Sequence, residues 1–168
     1  MELTIGVNSN IDEIKELLEN DYQKKITEIF VATPKDMGNT GRINTGGDSY
    51  ELIGDIVKLA SNYNVSVNCV SNTYHLGQFQ FDVNFINHFL ERANQLGELG
   101  VDSLTMANGY LIKQVNDRKK EFPDIPKIAV SVYGSADSPL KIEEYEKIEY
   151  KYEENTNKIW AMCPKKRK

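Results

Sequence analysis

Residues 99–112 read LGVDSLTMANGYLI, and this stretch decides the fold. A turn at residues 99–102 is followed by a short apolar strand at residues 103–107, and the turn dipeptide Asn108-Gly109 leads into a helix at residues 111–118. A strand that is followed directly by a helix is the first part of a βαβ unit, in which the next strand runs parallel to the first. The stretch therefore predicts a parallel sheet if such units repeat along the chain.

The same alternation extends outward in both directions. Apolar or alternating runs bounded by polar, Gly or Pro residues predict six strands, at residues 3–7, 28–33, 65–72, 103–107, 127–133 and 158–163. Helical spacing of apolar residues predicts five intervening helices, with Asn10 and Ser49 as N-caps of the first two, Asp82 starting the third and Pro139 opening the last. The repeat predicts an α/β protein with a parallel sheet.

Two architectures are compatible with this alternation. One is an incomplete TIM-type barrel of about six β/α units, and the other is a doubly wound sheet. Polar positions on one face of the third predicted strand favour the barrel, because a central strand of a doubly wound sheet is usually apolar throughout. Small polar residues also recur where the predicted strands end, which is the edge where a barrel builds its site. We expect one domain at residues 1–164 and a basic tail at residues 165–168.

The composition bounds the functional class. A net charge of -5 argues against nucleic acid as a partner, and the absence of a long apolar run argues against a membrane span. The first residues lack the basic and apolar regions of a signal peptide, so we expect a cytoplasmic protein. Two distant cysteines, Cys69 and Cys163, form no disulfide framework and no metal-ligand spacing. We expect no metal and no cofactor, and we interpret Cys69 as a small buried thiol.

Several consecutive units resemble the peptidase U32 family of collagenase-like proteases. Residues 99–112 are similar to the family passage LGVDALIVADPGLI, and residues 65–73 look like its strand KVYVAVNT. Gly41-Arg42 followed by residues 50–52 is similar to its passage SARAxxxNFSLEEL, and residues 128–145 also have a counterpart in the family. The resemblance implies a β/α barrel and a peptidase-like hydrolase, or a relative that hydroxylates RNA bases or ubiquinone precursors.

The sequence departs from that family in one important respect. The family stretch HGALCxxxSGxC, whose cysteines hold an iron–sulfur cluster in the hydroxylase branch, has no counterpart in residues 1–168. The resemblance therefore implies a substrate-facing portion of the barrel without the portion that carries the chemistry. An incomplete barrel exposes strand edges. We accordingly expect a homo-oligomer or a partner chain that completes the barrel.

Polar residues at the predicted strand ends are the candidate ligand-binding residues. They are Asn8, Thr33, Arg42, Asn72, His75 and Asn108. Arg42 could hold a carboxylate or phosphate through its guanidinium group, or it could be an ordinary loop arginine. Asn72 and Asn108 could orient a polar ligand, but Asn is also common in turns, and Asn108-Gly109 is a strong turn dipeptide.

His75 could act as a general base, and the alternative is a loop histidine. We interpret His88, which falls on a predicted outer helix, as structural or solvent-facing. The spacing assigns no catalytic residue. The sequence predicts a truncated or split barrel that binds a small anionic or peptide-like ligand at the carboxyl ends of its strands, with hydrolase activity only when a partner completes it. The alternative is a non-catalytic binding or assembly subunit.

Overall fold

Strands and helices alternate through the computed structural model, which describes residues 2–37, 48–72 and 77–131, the side chains of Gln78 and Gln80 excepted. The strands are β1 (Leu3–Gly6), β2 (Ile26–Ala32), β3 (Ser66–Ser71), β4 (Ser103–Met106) and β5 (Lys127–Val130). The helices are α1 (Ile11–Glu19), α2 (Tyr50–Ser61), α3 (Val83–Glu98) and α4 (Gly109–Asp117). Two 3-10 turns, Lys35–Met37 and Gly77–Phe81, follow β2 and β3.

The strands are ordered as they occur in the chain. Each is parallel to its neighbours, in the order β1-β2-β3-β4-β5. The register places Val31 of β2 opposite Cys69 of β3, and Cys69 opposite Leu104 of β4. A doubly wound sheet reverses its order at a switch point, and no reversal occurs among these five strands. The described part is therefore α/β, with an order consistent with a partial β/α barrel.

Side-chain caps fix where the helices begin. The Asn10 Oδ1 accepts hydrogen bonds from the Asp12 and Glu13 backbone N–H groups at 3.1 and 3.4 Å. Ser49 caps α2 and Asp82 caps α3 in the same way. Each such cap stabilises its helix by about 1 kcal/mol. The caps predicted at Asn10 and Ser49 are confirmed, and Asp82, predicted to start a helix, is the N-cap of α3.

The hydrophobic core lies between the sheet and the helices. Alternate strand residues point toward the helices because side chains on a strand alternate between faces. They are at most 2% exposed: Ile29, Val31, Val67, Cys69, Leu104 and Met106. Ile53 and Ile56 of α2 and Phe89 of α3 complete the same cluster. The prediction that Cys69 is a small buried thiol is confirmed, because its side chain is fully enclosed in this layer.

Element boundaries differ slightly from the predictions. β2 begins at Ile26 rather than residue 28, because Ile26 pairs with Leu3 and its N–H donates to the Asp21 carboxylate at 2.7 Å. β5 ends at Val130, and residues 132 and 133 of the predicted strand lie outside the described residues.

Some predicted elements fall entirely outside the described ranges. They are the helix that opens at Pro139, the strand at residues 158–163 and the basic tail at residues 165–168. Within the described ranges, no helix combines the length and apolar character required to cross a bilayer.

Candidate functional site

The carboxyl ends of the strands form one edge of the sheet, called here the carboxyl edge. A polar residue follows every strand within two positions: Asn8, Thr33, Asn72, Asn108 and Ser131. Parallel strands bring these positions to the same edge, which is where β/α proteins bind ligands. Four of the six candidate residues therefore share this edge. The other two, Arg42 and His75, lie outside the described residues.

Asn8 and Thr33 are tied into local structure. Asn8 is exposed, and its Nδ2 donates to the Glu13 Oε2 at 2.8 Å. Thr33 is only 1% exposed, and its hydroxyl donates to the Val70 carbonyl oxygen at 3.2 Å, which ties the end of β2 to β3. Asn8 thus presents an exposed amide at the carboxyl edge, whereas the hydroxyl of Thr33 is used in a hydrogen bond between β2 and β3.

Asn108 is the N-cap of α4. Its Oδ1 accepts a hydrogen bond from the Leu111 backbone N–H at 3.0 Å, and the residue is buried. The helix consequently begins at Gly109, two residues before the predicted start. The Asn108-Gly109 dipeptide thus forms the turn into α4, and the side-chain oxygen of Asn108 is used in capping that helix.

Asn72 is in a different situation. The residue directly follows β3, the central strand of the five, and its backbone is outside the regular ladder. Its side-chain oxygen is buried and has no hydrogen-bond partner among the described residues. Buried polar atoms are nearly always satisfied by protein, water or a ligand. The Asn72 Oδ1 is therefore an unsatisfied acceptor at the carboxyl edge, to which a water molecule or a ligand can donate a hydrogen bond.

Asp48 is a site residue that the sequence reasoning missed. It immediately precedes the cap of α2, and it is 7% exposed. One carboxyl oxygen, Oδ2, is buried without a partner, while the Ser9 hydroxyl hydrogen-bonds to the carboxyl group. Burial raises the pKa of Asp48, and the Ser9 hydrogen bond opposes the rise only in part. The signal in the sequence was an acidic residue between a Gly pair and a helix cap, which reads as ordinary turn chemistry.

Asp48 also lies within electrostatic range of Cys69. Burial, with a smaller contribution from the Asp48 charge, raises the pKa of the Cys69 thiol to about 12. The thiol is therefore protonated at neutral pH, and a protonated thiol is a poor nucleophile. Cys69 packs the layer between the sheet and the helices.

A network of polar side chains covers the face of the sheet opposite the helices, called here the inner face. Glu28 of β2 is its centre. Its carboxylate accepts hydrogen bonds from Thr4 at 3.1 Å, from Asn68 at 3.3 Å and from Ser103 at 3.4 Å. Thr105 donates to the Asn68 Oδ1 at 2.9 Å. Residues of β1, β2, β3 and β4 are thus joined across the sheet by side chains as well as by backbone.

A second cluster lies between the turn after β2 and helices α2 and α3. The Asp36 carboxylate accepts a hydrogen bond from the Tyr50 hydroxyl at 3.1 Å, and its Oδ2 lies 3.0 Å from the Arg92 Nε. Burial, followed by the Asp36 charge, raises the pKa of Tyr50. His88 Nε2 lies 3.6 Å from the Asp36 Oδ2 and is about 42% exposed, so this histidine contacts the cluster from the surface of α3.

A groove of about 300 Å³ lies between the end of β1 and α1. It is lined by Gly6, Val7, Asn8, Glu13, Ile14 and Leu17. Among the described residues, β1 pairs with a strand on one side only.

The side chains that could ligate a metal ion lie apart from one another in the described part of the chain. In the described ranges, no three His, Cys, Asp or Glu side chains come together as metal ligands would. An iron–sulfur cluster takes several cysteine thiolates, and the described residues contribute one thiol, the protonated Cys69. These residues do not fit such a cluster.

Comparison with known proteins identifies the fold. No protein-family model and no curated protein matches the sequence. Solved structures do match, among them one titled "The Structure of the U32 Peptidase Mk0906", with a TM-score of 0.66 and 19% sequence identity. The match covers 88% of this chain and 56% of that chain, so the present sequence spans little more than half of that protein. The chain has a U32 peptidase-like fold.

Proposed function

We propose that this chain forms about six units of a U32-like β/α barrel and binds a small anionic or peptide-like ligand at its carboxyl edge. The observation that carries the proposal is the buried Asn72 Oδ1, which has no partner among the described residues and would accept a hydrogen bond from an N–H group of a peptide-like ligand. It follows the central strand, at the edge where barrels bind their substrates. The exposed amide of Asn8 supplies a hydrogen-bond donor at the same edge.

We propose further that peptide hydrolysis requires a second copy or a partner chain that completes the barrel. Support comes from the side of β1 that pairs with no strand in the described part of the chain. An unpaired strand edge is a template for pairing with another strand. Mk0906 is titled a peptidase, and this chain covers 56% of it.

A non-catalytic binding or assembly subunit is the second candidate. The observation that favours it is the chemistry of Cys69, whose thiol stays protonated at neutral pH. The Glu28 carboxylate is likewise occupied by hydrogen bonds from within the sheet. A peptidase assay on the completed assembly separates the two candidates, because only the first predicts turnover.

Ligand binding is tested by NMR titration of the labelled protein with the dipeptide Ala-Ala and, separately, with inorganic phosphate. We expect chemical-shift changes at the residues that follow the strands. The Asn72→Ala variant should bind about tenfold more weakly. The matched control is Asn62→Ala, at the exposed opposite end of α2, which should bind normally. Unchanged binding by Asn72→Ala, or shift changes remote from the carboxyl edge, would contradict the proposal.

Assembly is tested by analytical ultracentrifugation. We expect a dimer or a larger species at micromolar concentration. A well-folded monomer under these conditions would contradict oligomerisation, and in that case a partner chain becomes the candidate for covering β1.

A further inference from the structure

We propose that Asp48 binds the protonated amino group of a ligand. The inference rests on the proposed function, since it specifies which chemical group of a ligand is recognised at the carboxyl edge. Asp48 belongs to none of the residues that the sequence pattern singled out, and the geometry of the folded chain alone brings it to this edge.

The position of the Asp48 carboxyl group follows from its contacts with residues of the first three strands or next to them. Asp48 enters α2, whose first turn stands at the carboxyl edge because the helix runs back toward the start of β3. Its hydrogen bond to Ser9 ties it to the segment after β1, and its electrostatic interaction with Cys69 places it near β3. β2 lies between those two strands. The carboxyl group is thus enclosed at the end of the sheet among the first three strands.

The unsatisfied atom of Asp48 is a hydrogen-bond acceptor. The Asp48 Oδ2 is buried without a partner in the described part of the chain, and the Asn72 Oδ1 at the end of β3 is another such acceptor at the carboxyl edge. Acceptors are satisfied by N–H or O–H donors and repel anions. An ammonium group offers three donors and no acceptor, so it suits the Asp48 oxygen better than a carboxylate or phosphate does.

Charge selects an ammonium group over a hydroxyl group. A buried carboxylate without a counter-ion is costly, and no ion pair found among the described residues involves Asp48. Arg92, a cation of the neighbouring α3, is paired with Asp36 instead. Cys69, the other titratable group within range, is neutral because its pKa is about 12. A ligand cation would supply the missing charge.

Binding and protonation are linked at this site. Burial holds the pKa of Asp48 above its ordinary value when the site is empty. An ammonium group favours the ionised carboxylate, so binding should lower this pKa. A neutral donor that merely hydrogen-bonds should lower it less, as the Ser9 hydroxyl does, because it brings no opposite charge. The size of the fall in the pKa of Asp48 therefore distinguishes a charged from a neutral bound group.

Calorimetric titrations with three probes test the proposal: Ala-Ala, N-acetyl-Ala-Ala and propylamine. We expect acetylation to weaken binding to the wild type at least tenfold. Asp48→Asn, which keeps the shape of the side chain and removes its charge, should bind the free and acetylated dipeptides equally. The matched control is Asp55→Asn on the same helix, an exposed carboxylate paired with Lys58, which should keep the wild-type preference.

The outcomes separate this inference from the proposed function. Binding of Ala-Ala alone identifies a peptide amino terminus and binding of propylamine as well identifies any primary amine; either supports the proposal. Equal binding of the free and acetylated dipeptides at the carboxyl edge overturns the amino-group inference and leaves the proposed function standing. Failure of both dipeptides to bind overturns the amino-group inference, and failure of inorganic phosphate as well overturns the proposed function.

A second measurement keeps the test decisive if Asp48→Asn does not fold. Carbon-13 NMR follows the Asp48 carboxyl group of the wild type through a pH titration. The pKa should fall when Ala-Ala is added and should fall less when the acetylated dipeptide is added at a concentration that saturates the protein. An unchanged pKa with bound Ala-Ala would mean that the amino group does not lie against the Asp48 carboxylate, and the inference would be wrong.

Discussion

Replacing Gly97 by alanine tests how closely the segment before β5 packs on α3. A Cβ atom on Gly97 would lie 1.5 Å from the Asp124 carbonyl oxygen, whereas real Cβ atoms essentially never approach closer than 3.0 Å. The backbone would therefore have to move by about 1.5 Å. That movement is resisted by the hydrogen bond from the Asp124 N–H to the Asn94 Oδ1, at 3.0 Å.

The magnitude follows from two opposing terms. Overpacking in a filled site costs about 1–3 kcal/mol, and a displaced backbone puts the cost at the upper end. Alanine gains about 1 kcal/mol over glycine in a helix interior. We expect Gly97→Ala to lower the free energy of unfolding by about 2 kcal/mol, and the Tm by about 4–8 °C for a chain of this size.

Urea unfolding followed by circular dichroism measures the change. The matched control is Gly54→Ala in α2, where the new Cβ would be 3.4 Å from the Leu99 Cδ2, an ordinary contact. This variant should be as stable as the wild type or more stable by up to about 1 kcal/mol. If Gly97→Ala unfolds at the same urea concentration as Gly54→Ala, the close packing described for α3 is wrong.

Three further changes probe the cap, the buried thiol and the inner face. Asn108→Ala removes the acceptor for the Leu111 N–H and should cost about 1 kcal/mol by urea unfolding, whereas Asn108→Asp should retain most of it; equal losses would show that the cap is unimportant. Between pH 9 and 12 the folded Cys69 thiol keeps a proton that the unfolded chain releases, so stability should fall as the pH rises. The wild type should lose up to about 1.4 kcal/mol per pH unit more than Cys69→Ala, and parallel pH profiles would refute this. Glu28→Ala leaves Asn68 and two hydroxyl groups without their acceptor on a partly exposed face and should cost about 1–2 kcal/mol, with an unchanged urea midpoint as the contrary result.

The features that depend on neighbouring residues could be predicted from the sequence. The caps at Asn10, Ser49 and Asp82 are local, because each side chain bonds to a backbone group two or three residues away. The burial of Cys69 followed from the alternation within one strand. The alternation of strands and helices is likewise a periodicity within short windows, and it gave the α/β class.

The features that depend on register between strands could not be predicted. Glu28 reads as the start of an apolar run, and its partners Thr4 and Ser103 are 24 and 75 residues away. Asp48 becomes a buried group only because the segment after β1 folds beside it and supplies Ser9. A single sequence contains no signal for either set of contacts, because both depend on how separate β/α units pack against one another.

The order of the strands has a consequence for how the protein unfolds. When every strand pairs only with the strands that precede and follow it in the sequence, a sheet behaves as a linear array. Its end units can then unfold one at a time. Glu28 interrupts that independence, because it bonds to Asn68 of the adjoining strand and also reaches past β3 to Ser103 of β4. Together with its hydrogen bond from Thr4 of β1, one carboxylate couples four successive strands. We expect β1, β2, β3 and β4 to exchange their amide hydrogens as a single cooperative block, and the block to divide into separately exchanging units when Glu28 is removed.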